Sequence, residues 1–65
     1  MDKQQAKPER LLYDVARTAD VLDMSASQVR NMINRGELPA VRIGRAVRVP
    51  ASALREYVDR LVAER

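Results

Sequence analysis

Apolar residues recur at helical spacing in three stretches and predict three helices, at about residues 15–22, 26–35 and 51–63. In the first stretch, Val15, Ala19 and Leu22 lie at the spacing of one buried face. The last stretch carries a longer apolar stripe with i, i+3, i+4, i+7, i+8 spacing, formed by Leu54, Tyr57, Val58, Leu61 and Val62. We expect this stripe to close the core beneath the first two helices.

Polar residues at the helix ends support these boundaries. Asp14 is suited to cap the first helix, and Asp23 tolerates the left-handed conformation that ends helices, though less well than glycine. Ser25 and Gln28 have the spacing of a capping box, in which each side chain bonds the other residue's backbone amide. Gly36 is placed to end the second helix.

The segment that follows alternates apolar and basic residues, which predicts a β-hairpin with strands at about 40–43 and 47–49. A two-residue loop would put its apolar residues on different faces, so we expect the three-residue loop 44–46. This register places Arg42 directly opposite Arg48. It also gives one shared face to the apolar residues Val41, Ile43, Val47 and Val49.

These elements predict a small α+β domain, mainly helical, with the architecture of a winged helix-turn-helix. The hairpin is the wing. We expect residues 1–9 to be a disordered N-terminal arm and residues 10–65 to form the single domain, because the first nine residues are predominantly polar. A chain of 65 residues has room for no more than one domain.

Composition excludes several classes of function. The chain contains neither histidine nor cysteine, so the commonest general base and the usual zinc ligands are missing. We therefore predict that the protein is not an enzyme and needs no metal or cofactor. No apolar run approaches the roughly 20 residues of a membrane span. The prediction is a cytoplasmic protein associated with the nucleoid.

Charge is concentrated in the middle of the chain. The net charge is only +3, yet residues 24–50 contain five arginines, a single glutamate and no lysine. A localised basic region attracts polyanions, and arginine suits phosphate and base contacts better than lysine does. Double-stranded DNA is therefore the first partner to consider. The alternative is an ordinary solvated surface.

The residues predicted to contact DNA lie on the second helix and on the hairpin. Asparagine and arginine are common readers of adenine and guanine in the major groove. Arginines on a hairpin suit phosphates or a narrow minor groove. The predicted contact residues are Ser27, Arg30, Asn31, Asn34, Arg42, Arg45 and Arg48. A second group could serve either DNA contact or helix capping and solvation, namely Arg17, Ser25, Gln28 and Arg35.

The sequence resembles the excisionase-type, MerR-like winged helix-turn-helix family over about residues 11–60. The matching residues are Leu22 to Ser25, Val29, Ile33, Arg35 to Arg45, Val47 to Pro50 and Ser52 to Leu54. The resemblance implies a second helix in the major groove and a wing over the backbone or minor groove. The family usually has glycine where Asp23 stands, which implies some strain in that turn.

The charge pattern indicates DNA as the partner, and the resemblance implies an excisionase, a protein that bends DNA to direct excision by an integrase. Such a protein would bind repeated sites and could associate head-to-tail on DNA. Two alternatives remain open. One is a small transcriptional regulator on the same scaffold. The other is a protein-interaction module that presents its basic face to an acidic partner.

Overall fold

The computed structural model describes residues 10–64, so the predicted arm at 1–9 lies outside the described residues. These residues form a three-helix domain with a three-stranded antiparallel sheet, consistent with the predicted winged helix-turn-helix. The elements in chain order are β1 (Leu12–Tyr13), α1 (Val15–Leu22), α2 (Ala26–Asn34), β2 (Val41–Ile43), β3 (Ala46–Pro50) and α3 (Ala51–Glu64). The predicted helices are confirmed to within a residue at each end.

Local capping sets the ends of α1 and α2 as predicted. The Asp14 carboxylate accepts a 2.8 Å hydrogen bond from the Arg17 amide at the start of α1. Asp23 ends that helix in the left-handed region, with φ 59° and ψ 48°. Both bonds of the capping box between Ser25 and Gln28 form at 3.1 Å. The turn between the helices is therefore held by short-range bonds at both ends.

The core lies where α1, α2 and α3 meet strand β3. Its buried apolar residues are Ala19, Val29, Met32, Leu38, Val49, Ala53 and Leu54. The predicted inward residues Val15 and Leu22 are half-buried against it. Thr18 is also fully buried, and its hydroxyl has no hydrogen-bond partner among the described residues. The apolar pattern did not predict this buried threonine, because it counts only apolar positions.

The sheet has a strand beyond the predicted hairpin. Strand β1 pairs antiparallel with β3, with Leu12 opposite Pro50 and Tyr13 opposite Val49, so the strand order is β1-β3-β2. The Ala51 amide also donates a 2.9 Å hydrogen bond to the Leu11 carbonyl. The residues before α1 thus hold β3 from the side opposite to β2.

The predicted register of the wing is wrong. Strands β2 and β3 join through the two-residue loop Gly44-Arg45, with Arg42 opposite Val47. Val41 therefore lies opposite Arg48, and the predicted Arg42–Arg48 pair does not form. Gly44 is the first loop residue and has φ 63°, as expected for glycine in a type II′ hairpin turn.

The prediction failed because it assumed that all four apolar residues of the hairpin face the core. Val49 is fully buried, and alternation along β3 turns Val47 to the same side. On the partner strand, Val41 pairs with Arg48 and Ile43 with Ala46, so both face outward with 42% and 56% of their surface exposed. The inner position of β2 is occupied by Arg42 instead.

Helix α3 begins at Ala51, directly after Pro50 ends strand β3. Its first turns bury Ala53 and Leu54. The predicted stripe does not close the core along its full length, because its later members lie beyond the edge of the core. Val58, Leu61 and Val62 are 41%, 47% and 60% exposed. Within residues 10–64, no helix is both long and apolar enough to cross a membrane.

Candidate nucleic-acid interface

Helix α2 presents a polar face to solvent because its apolar residues are all on the other side. Val29 and Met32 are 0% and 5% exposed, and the helical repeat of 3.6 residues turns their polar neighbours outward. All four predicted contact residues of this helix are exposed, namely Ser27, Arg30, Asn31 and Asn34.

The wing meets one flank of this polar face. A cleft of about 180 Å³ lies between α2 and the wing, with Arg30 and Asn34 on one side and Arg42 on the other. The remaining walls are Val15, Ile33 and Val47. The observed register produces this arrangement, because pairing with Val47 directs Arg42 to the inner face. The cleft therefore brings together three residues that were predicted separately.

The arginines around this cleft are not neutralised by neighbouring acids. Arg30 and Arg42 are exposed, and neither has an ion-pair partner among the described residues. Their charge is available to an anionic ligand.

Two of the three predicted wing arginines lie apart from the cleft. Arg45 stands in the turn at the tip of the wing. Arg48 is half-buried on the outer face opposite Val41, and its guanidinium donates a 2.9 Å hydrogen bond to the Val47 carbonyl. The structure therefore places Arg42 and Arg48 on opposite faces of the wing, which removes the direct repulsion expected from the sequence.

A second cleft, of about 330 Å³, borders the other flank of α2. It contains Asn31, Gln28 and Arg35 from the helix and Glu37 from the segment after it. Its apolar walls are Met24, Met32 and the Tyr57 ring of α3. Asn31 thus lies on the flank away from the wing, whereas Arg30 and Asn34 lie beside the wing.

Three of the four residues in the second predicted group have partners within the chain. Ser25 and Gln28 cap one another, and the Arg35 guanidinium binds both carboxylate oxygens of Glu37, at 2.9 and 3.3 Å. This hydrogen-bonded pairing raises the pKa of Arg35 and lowers the pKa of Glu37. Arg17 is exposed on α1.

Glu37, which lines the second cleft, was not predicted from the sequence as a residue of the candidate interface. The signal was present, because Glu37 is the lone acid of residues 24–50 and follows Arg35 by two positions. The contact of Glu37 with Arg35 depends on a side-chain conformation, which the periodicity of the sequence does not predict. The described residues contain no group of three or more histidine, cysteine, aspartate or glutamate side chains able to hold a metal ion.

Comparison with known proteins agrees with this architecture. Residues 12–61 match the family described as a helix-turn-helix domain. A protein of Saccharopolyspora erythraea named "Probable excisionase" is 35% identical over 57 residues, which cover 88% of this chain. A protein of Mycobacterium tuberculosis named "Putative DNA-binding protein Rv0500A" is 39% identical over 59 residues, 91% of this chain.

Both relatives are longer than the matched region. The chain spans 58% of the length of the Saccharopolyspora protein and 73% of the length of the mycobacterial one. No solved structure matches the chain significantly. The similarity is therefore a similarity of the domain, and it extends from β1 into the second half of α3.

Proposed function

The chain belongs to the excisionase-type helix-turn-helix family, and from this premise we propose that it binds double-stranded DNA in a sequence-specific manner. The observation that carries the proposal is the surface shared by α2 and the wing. There, Arg30, Asn34 and Arg42 line one cleft, and no carboxylate among the described residues pairs with either arginine.

In the proposed complex, α2 enters the major groove and the wing follows the backbone or the adjacent minor groove. Arg30, Asn31 and Asn34 read base edges, since arginine pairs with guanine and asparagine with adenine. Ser27 at the start of the helix contributes a hydroxyl to the same face. Arg42 supplies phosphate contacts, as do Arg45 at the tip and, from the outer face, Arg48.

We further propose that the protein acts as an excisionase. A single module of this size buries only about 600–1,000 Å² on DNA, which limits its affinity and favours several copies on repeated sites. Copies placed head-to-tail would add small bends and help an integrase reverse its reaction. The name of the Saccharopolyspora relative supports this role. The place of action would be the nucleoid in the cytoplasm.

Salt dependence tests the proposed DNA binding. The logarithm of the affinity for a duplex should fall linearly with the logarithm of salt concentration, with a slope of about 0.9 per phosphate contacted. Fluorescence anisotropy on a labelled duplex would measure this slope. Binding to an acidic protein, with no affinity for DNA, would instead favour the interaction-module alternative.

Base readout can be separated from phosphate contact by substitution on α2. Arg30→Ala should reduce discrimination at one base position by about 1–3 kcal/mol, because a bidentate arginine–guanine contact is lost. Asn31→Ala should do the same at a second position. Selection of bound sites from a random duplex pool measures both effects. Unchanged site preferences in both variants would contradict the assignment of α2 as the reading element.

A small transcriptional regulator is the second candidate. The mycobacterial relative is named only as a DNA-binding protein, which is compatible with this role. An excision assay with the cognate integrase distinguishes the two roles. Excision that depends on the protein supports the first, and excision that is independent of it, together with changed transcription from nearby promoters, supports the second.

A further inference from the structure

The ion pair between Arg35 and Glu37 distinguishes Arg35 from the other arginines of residues 24–50. Arg35 bonds both oxygens of the Glu37 carboxylate, whereas Arg30, Arg42, Arg45 and Arg48 have no carboxylate partner among the described residues. Arg35 nevertheless lies in the same cleft as Asn31, which is a proposed base reader. Of the five arginines in residues 24–50, Arg35 is therefore the one whose charge is neutralised by a carboxylate of the described residues.

The backbone of Glu37 is held from two directions, so its carboxylate is presented to Arg35 in advance. The Glu37 amide donates a 2.9 Å hydrogen bond to the Met32 carbonyl, and the Glu37 carbonyl accepts one of 3.3 Å from Arg60 of α3. The Arg60 guanidinium also lies 6.0 Å from the centre of the Tyr57 ring. An exposed ion pair is usually weakened by the entropy of two mobile side chains. Here the Glu37 backbone is already held in place, so forming the pair requires only the side-chain torsions to be ordered.

Arg35, the other residue of the ion pair, is also held at its backbone. It is the C-terminal cap residue of α2, and its amide donates a 2.9 Å hydrogen bond to the Asn31 carbonyl. A phosphate that approached this point would meet a guanidinium and a carboxylate together, with no net charge. Such a pair releases no counterion from DNA, and counterion release is what drives sequence-independent binding.

We propose that Glu37 is a positioning residue that holds Arg35 away from DNA phosphates and so limits the sequence-independent part of the binding energy. This inference rests on the proposed DNA binding. It assigns Glu37 a role opposite to that of the basic residues around it. The side chain restrains contact with the duplex, and it acts through Arg35.

The test compares Glu37→Gln with Glu56→Gln, which removes the same charge from an exposed position on α3. Glu37→Gln should steepen the salt slope for a random-sequence duplex by about 0.9 and raise its affinity roughly fivefold at about 0.15 M salt. Glu56→Gln should leave the slope unchanged. Equal changes in both variants would overturn the proposal, since net charge alone would then explain them.

Arg35→Ala, made in the Glu37→Gln background, identifies the residue through which Glu37 acts. The double variant lacks both charges of the pair, so it should return the salt slope to the wild-type value. A double variant with a slope flatter than that of the wild type would mean that Arg35 already contacts phosphate, and the proposal would fail while DNA binding stood. Absence of salt-dependent duplex binding by the wild-type protein would overturn both. Thermal melting by circular dichroism controls for folding.

Discussion

Helix α2 and the wing form the two halves of the candidate interface, and their inward faces are set in different ways. In α2 the buried residues Val29 and Met32 follow directly from the helical repeat. In the wing, Val41 and Ile43 are exposed although Val47 and Val49 on the partner strand face inward. A helix carries its own periodicity, whereas a strand acquires its inward face only when its register is chosen.

This difference has a functional consequence. The register that exposes two apolar side chains is the same register that places Arg42 beside Arg30 and Asn34. The alternative register, with one more loop residue, would direct Arg42 outward together with Arg48. Whether Arg42 contributes its charge to the cleft therefore depends on a shift of one residue in the pairing of β2 with β3.

The largest expected effect is on stability, and it distinguishes the buried face of α2 from the exposed apolar face of the wing. Met32→Ala should destabilise the domain by about 2–5 kcal/mol, because it leaves a cavity beneath α2. Ile43→Ala on the wing should change stability by no more than about 0.5 kcal/mol, because the side chain is already 56% exposed. Denaturant unfolding measures both. A loss above about 2 kcal/mol for Ile43→Ala would show that the apolar face of the wing is covered.

The turn of the wing should be sensitive to backbone strain alone. Gly44→Ala should destabilise the domain by about 1 kcal/mol, since φ is 63° and no atom lies within 4 Å of an added Cβ. Gly36→Ala is the matched comparison, because it introduces the same kind of backbone strain, at φ 79° and in equally open space, at the end of α2 and outside the wing. Cross-strand NOEs between Arg42 and Val47 should be present in the wild type. NOEs between Ile43 and Val47 as directly opposed residues would contradict the register.

The capping of α2 should make a smaller and strictly local contribution. Ser25→Ala should cost about 1 kcal/mol, because the Gln28 amide loses its acceptor. Ser27→Ala, at an exposed position in the same helical turn, should stay within about 0.5 kcal/mol. Thermal melting of the two variants gives the comparison. Equal losses would mean that the Ser25 cap contributes no more to stability than an exposed serine hydroxyl does.

The two faces of the wing should differ in DNA binding. Arg42→Ala should lower the affinity for every duplex roughly fivefold at about 0.15 M salt and flatten the salt slope by about 0.9. Arg48→Ala should have a smaller effect, because its guanidinium is partly engaged by the Val47 carbonyl on the opposite face. Anisotropy measurements across a salt series would show this. Equal losses would indicate that DNA contacts both faces.

Much of the candidate interface was predictable because it lies on a helix with clear caps. The exposure of Arg30, Asn31 and Asn34 follows from the position of Val29 and from the 3.6-residue repeat. The division of these residues between two clefts was not predictable, since it depends on where the wing and α3 pack. The pairing of Arg35 with Glu37 likewise depends on the turn at Gly36.

By itself, the sequence determined the three helices, their caps and the basic character of residues 24–50, because these depend on interactions between residues a few positions apart. The tertiary structure alone decided the strand added by β1, the register of the wing and the end of the core along α3. These features require segments distant in the chain to meet. Their outcome depends on which apolar surfaces the rest of the domain can cover.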